Sequence, residues 1–93
     1  MKKLEIVIGN KFLNEFIERM KENDFNNYSV MEIFKSHGEK HGESVGSGFL
    51  SASKNLVLIC ICDEHQYDIF KKTLLEYLRS IDAYICVSEV EEL

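Results

Sequence analysis

Apolar and polar residues alternate through the opening "KKLEIVI": Leu4, Ile6 and Ile8 fall on one face and Glu5 and Val7 on the other, which predicts a half-buried strand. The period then changes. Phe12, Leu13, Phe16, Ile17 and Met20 form one helical stripe, and Asn10 stands where it can cap that helix. "ENDFNN" favours turns and ends it, and the β-rich "YSVMEIF" predicts a second strand. "NLVLICIC" is apolar on both faces of a third. Asp63, with Gln66 three residues on, makes a capping-box start for a second helix. Phe70, Leu74, Tyr77, Leu78 and Ile81 are its buried stripe, and His65 falls in its first turn. "AYICVSEVEEL" reads as a fourth strand running to the last residue.

The order is βαββαβ. Two helices following the first and third strands suit right-handed crossovers that place both on one face of a four-stranded antiparallel sheet. The expected fold class is α+β, ferredoxin-like, in a single domain over residues 1–93, with a long loop between the second and third strands. The helices leave the other sheet face open. The third strand feeds apolar side chains to both faces, and Val7, Ile85 and Val87 are candidates to join them on the open one. An apolar patch of roughly 500 Å² is larger than a soluble monomer usually shows. Burying it at about 25 cal/mol/Å² is worth on the order of 12 kcal/mol, enough to offset much of the cost of association. A homo-oligomer packed sheet to sheet is the expectation.

Composition narrows the classes of function. Apolar residues are 45% and charged ones 29%, an ordinary balance for a folded protein outside membranes. The net charge of −5 and only two arginines, Arg19 and Arg79, argue against nucleic acid, whose binding rests on phosphate neutralisation. No apolar run is long enough to insert into a bilayer. Lys2 and Lys3 precede a short apolar stretch that Glu5 interrupts, with no cleavage pattern after it, so a cytoplasmic location without a signal peptide is expected. Cys60, Cys62 and Cys86 all lie in apolar runs, as buried thiols of a reducing compartment would.

The loop "SHGEKHGESVGSGFLSASK", residues 36–54, is where chemistry concentrates. Loops of that length in compact domains are usually functional. Gly38, Gly42, Gly46 and Gly48 let backbone N–H groups converge on an anion, and Lys35, Lys40, Lys54, His37 and His41 bring cationic or polar side chains to the same place. The plain alternative is a solvated loop. A second alternative is a divalent metal site from His37 and His41 with Glu39 or Glu43, although two glycines in "HGEKHGE" oppose the helix that would align the imidazoles. No nucleophile–base–acid set is present in the pattern, so an enzyme is not expected.

"KKLEIVI", "NNYSVMEIFKSHGEKHG" and the closing "AYICVSEVEEL" together resemble the PII-like signalling proteins, in particular their transporter-associated branch. That resemblance implies a ferredoxin-like trimer, adenine nucleotides (AMP, ADP, ATP or a cyclic nucleotide) in clefts between subunits, no metal cofactor, and a loop that reports ligand state to a membrane transporter or other partner. By similarity Ser29, within "NYSV", would face the base. Ser36, His37, Gly38 and Lys40 would approach phosphates, and Ala83, Tyr84 and Ile85 would lie along the adenine. Departures are specific. "RSIDAY" lacks the glycines of the phosphate loop found in nitrogen-sensing members, so AMP, ADP or a cyclic nucleotide fits better than ATP, and the long loop has neither the tyrosine for nucleotidylation nor the glutamine of the 2-oxoglutarate complex.

Overall fold

A computed structural model describes residues 1–33, 35–38, 42–45 and 55–93, the two short internal stretches by their backbone. Strand β1 (Lys2–Gly9) leads into helix α1 (Asn10–Glu22), strand β2 (Ser29–Glu32), the short strands β3 (Lys35–Gly38) and β4 (Gly42–Val45), and strand β5 (Asn55–Cys62). Helices α2 (Glu64–Thr73) and α3 (Leu75–Ser80) and strand β6 (Tyr84–Glu89) complete the chain. β2, β5, β1 and β6 form a four-stranded antiparallel sheet in that order, the ferredoxin-like α+β arrangement expected from the pattern.

The register explains the core. Ile6 pairs with Leu58 on one side and Ile85 on the other, and Leu4 pairs with Cys60 and Val87, so these side chains share one face. Leu4, Ile6, Ile8, Leu58, Cys60 and Cys62 are buried there beneath Phe16 and Met20 of α1 and Phe70, Leu74 and Leu78 of the second helical segment. Phe16 stacks on Tyr77 at 6.3 Å between ring centroids, and the Arg19 guanidinium lies 4.2 Å from the same ring, which joins α1 to α3.

Both helical segments end alike. Asp24 N–H donates to Lys21 O and Phe25 N–H to Met20 O, while Asp82 N–H donates to Arg79 O and Ala83 N–H to Leu78 O. This is the Schellman pattern, with a left-handed residue after the last turn. Asp24 (φ 64°) and Asp82 (φ 59°) take that position, which short polar side chains tolerate better than bulky ones. The first such turn delivers Phe25 back into the core, where it is buried.

Several expectations need correction. Asn10 is the first helical residue rather than the cap; extended Gly9 caps α1, with no side-chain hydrogen bond. The second helix is two: Thr73 Oγ1 donates to Ile69 O at 2.7 Å, a back-bond that bends helices, and Leu74 separates α2 from α3. The predicted capping box at its start is present, with Gln66 N–H donating to Asp63 Oδ1 and Asp63 N–H to Gln66 Oε1. β6 stops at Glu89, and Val90 N–H then donates to Met1 O. Cys86 is exposed, not buried like Cys60 and Cys62. Within residues 36–54, the described backbone adds an antiparallel pair, β3 with β4, that forms its own two-stranded sheet where a loop without strands was expected.

Candidate functional site

Among the described residues the second face of the sheet carries no helix. Its rows follow from the register: Met31, Val57, Val7 and Tyr84 cross the sheet in one, and Ser29, Ile59, Glu5 and Cys86 in the next, with Ile61 beside Lys3 beyond them. Ile85 and Val87 do not belong to it. They pair with Ile6 and Leu4 on the helical face, because the register sets the odd-numbered residues of β6 against the even-numbered residues of β1. The open face is nonetheless apolar over most of its width, with Met31 48%, Ile61 49% and Tyr84 53% exposed.

Two shallow grooves flank Ile61. One, of about 390 Å³, is lined by Asn26, Asn27, Tyr28, Ser29, Ile59 and Ile61. The α1–β2 turn supplies its amides and hydroxyl, and β5 supplies a floor of two isoleucines, so none of its lining side chains is charged. A neutral planar ring with hydrogen-bonding edges suits such a surface better than an anion does. The other groove, of about 330 Å³, lies between Met1, Ile61, Val90, Glu91 and Glu92. Its closing segment is held by Glu89, which accepts from Lys2 Nζ and, at 3.1 Å, from the terminal ammonium. The hydrogen bond from Lys2, then that from the terminal ammonium, hold the Glu89 carboxyl below its usual range.

The predicted ligand residues separate into three groups. Ser29 lines the neutral groove at the β2 edge. Ala83, Tyr84 and Ile85 stand at the opposite edge, on and just before β6. Three strand spacings, about 14 Å, separate the edges, so one chain does not bring Ser29 and Tyr84 together. At that far edge Tyr84 is exposed on the open face, while Ala83 and Ile85 pack partly buried against the core. A hydrogen bond to Cys86 raises the Tyr84 phenol above its ordinary range. Ser36, His37 and Gly38 lie on β3, where His37 is paired with Glu43 and Gly38 with Gly42. Lys40 and His41 lie outside the described residues. Among the described residues no group of three metal-ligating side chains occurs.

Sequence reasoning missed Asn26 and Asn27, read only as turn formers, and the groove-lining side of Ile59 and Ile61. The signal was available: a turn rich in carboxamides ends on an edge strand whose neighbour alternates inward and outward apolar residues. The thiols of Cys60 and Cys62 offer no chemistry here. Burial, with Cys62 next to it, pushes Cys60 up to about 11, and burial likewise raises Cys62.

No family model matches the sequence, and no curated relative is found for it. The fold does have relatives. A PII-like nitrogen regulatory protein from Thiomonas intermedia K12, CPII, solved bound to ADP, AMP and bicarbonate, superposes with a TM-score of 0.77 at 16% identity, over 96% of this chain and 84% of that one. Its apo form gives 0.68 at 11% identity, over 96% and 87%. A PII-like signalling protein from Thermus thermophilus gives 0.69 at 20% identity, over 96% and 85%. This chain has the fold of the PII-like signalling proteins.

Proposed function

We propose that this chain is a PII-like signal-transduction protein, a regulator rather than an enzyme, that works as a homotrimer. An adenine nucleotide sits in clefts between subunits and reports its presence to a partner, a membrane transporter, through residues 36–54. The placement of the predicted residues at opposite edges of one sheet carries this reading. Ser29 and the 83–85 edge flank the same uncovered apolar face, so a second copy that covers the face can bring one copy's Ser29 groove against the other's β6 edge. Base recognition then falls to the neutral groove of Asn26, Asn27, Ser29 and the two isoleucines. Phosphates fall to Ser36, His37, Gly38 and Lys40 at the start of the glycine segment. Nucleotides in the solved CPII structures support the ligand class.

In this mechanism ligand contacts at Ser36, His37, Gly38 and Lys40 favour the state of the 36–54 segment that docks on the partner. Titration calorimetry of the purified protein with ATP, ADP, AMP and cyclic nucleotides tests it. Heat from an adenine nucleotide with a stoichiometry of one per chain is expected, and none at millimolar ligand removes the nucleotide reading.

A further inference from the structure

We propose that Asn27 is the residue that selects the base, holding adenine through a two-bond carboxamide contact and disfavouring guanine. The inference rests on the adenine-nucleotide reading above and names the residue behind it. Ser29 pairs with Ile59. Asn27 stands two residues before Ser29, in the same phase, as Ile61 stands two residues after Ile59, and all four line one groove. Tyr28 between them packs against the core, which turns its two neighbours to the open side above a floor of two isoleucines. Asn26 borders the groove out of that phase.

The fold does not use this carboxamide. Asn23, at the end of α1, gives its own amide to Arg19 O at 2.8 Å, whereas the Asn27 side chain is exposed and, among the described residues, makes no hydrogen bond. Its oxygen accepts and its nitrogen donates, and no charged side chain lines the groove beside it. Adenine sets its N6 amine next to a ring-nitrogen acceptor on both free edges, N1 and N7, so a carboxamide matches either edge with one bond given and one taken. Guanine has acceptors alone on its N7 edge, and its N1 edge carries two donors, N1–H and the N2 amine, for one carboxamide oxygen. The Ser29 hydroxyl rotates to donate or accept, so it fits both bases and selects neither. A two-bond contact of this kind discriminates by roughly tenfold.

Calorimetry of the full chain with AMP and with GMP, repeated on Asn27→Asp and Asn27→Ala, decides it. A carboxylate of nearly the same shape accepts from both guanine donors and opposes the ring nitrogen of adenine. AMP and GMP carry the same charge, so repulsion of the phosphate by the new carboxylate cancels in the ratio of their affinities. The expected result is AMP roughly tenfold tighter than GMP in the unaltered chain, that ratio lost in Asn27→Ala, and GMP the tighter of the two in Asn27→Asp, with dichroism and assembly mass unchanged. GMP as tight as AMP in the unaltered chain overturns the inference and leaves the adenine reading standing, as does a parental ratio kept in both variants or an equal loss of both nucleotides. No heat from either nucleotide in the unaltered chain removes both.

Discussion

Met31→Glu separates the two jobs of the sheet. Met31 sits on β2 in the open-face row with Val57, Val7 and Tyr84, and 48% of its surface is exposed in the single chain. Replacing it takes almost nothing from the core of one copy. Between copies the cost is larger. Complete burial of a methionine side chain is worth about 1.5–3 kcal/mol, so covering the exposed half contributes about 1 kcal/mol per copy, or about 3 kcal/mol for three. That alone weakens the association constant about a hundredfold, and each carboxylate forced into the interface adds a desolvation cost of several kcal/mol. Light scattering after size exclusion at about 10 µM is expected to give a trimer mass for the unaltered protein and for Met31→Leu, and a monomer mass for Met31→Glu. The far-ultraviolet dichroism of all three should coincide. A trimer mass for Met31→Glu refutes the claim that this face is the one covered. A lost helical signal refutes the claim that the single chain does not depend on it.

Other outcomes follow from the same contacts. Leu58→Ala, at a fully buried site central to the sheet, is expected to lower stability by about 2–5 kcal/mol in urea unfolding, and a loss below about 1 would contradict the packing described. Asp63→Ala removes the capping box of α2 and should cost about 1 kcal/mol, with no change in assembly. Glu89 has a folded-state carboxyl held below its ordinary value of 4.5 by Lys2 and the terminal ammonium, so its stabilisation is complete above that value and lost as the pH falls through the lowered one. Glu89→Gln should therefore flatten the melting temperature between pH 5 and roughly pH 3 relative to the parent, and identical acid profiles would count against the clip. In the signalling reading, His37→Ala with His41→Ala leaves copper, nickel and zinc affinity unchanged, and a clear loss would favour the metal alternative.

What the sequence revealed was periodic, and what it concealed was set by tertiary register. The alternation of Leu4, Ile6 and Ile8 and the stripe from Phe12 to Met20 each carry their own face assignment, since a period of two or of 3.6 fixes which residues point together. The core they predict is the one present. The faces of Ile85 and Val87 had no such warrant. An edge strand apolar at Tyr84, Ile85, Cys86 and Val87 alike reads equally well in two registers, and only pairing with Leu4 and Ile6 puts Ile85 and Val87 on the helical face, where Ile85 packs against the core and Val87 stays exposed at the edge. The break at Leu74 is similar: the apolar stripe continues in phase through it, and the Thr73 hydroxyl bonds back to Ile69 O where α2 gives way to α3.

The candidate site was least legible because no segment contains it. Asn26, Asn27 and Ser29 leave α1 at one edge of the sheet, while Asp82, Ala83 and Tyr84 leave α3 at the other, each group delivered by a left-handed aspartate and the same pair of backbone bonds. The two turns thus place matching strand ends at opposite rims of one apolar face. A closed ring of copies needs this heterologous geometry, in which one rim meets the other's complement. In that ring, covering the face and completing the cleft are one event, so a substitution that blocks assembly should abolish nucleotide binding even with every groove residue intact. Met31 lines neither groove. If Met31→Glu stayed monomeric and still bound AMP with unaltered affinity, the site would lie within one chain and the between-copies cleft would be excluded.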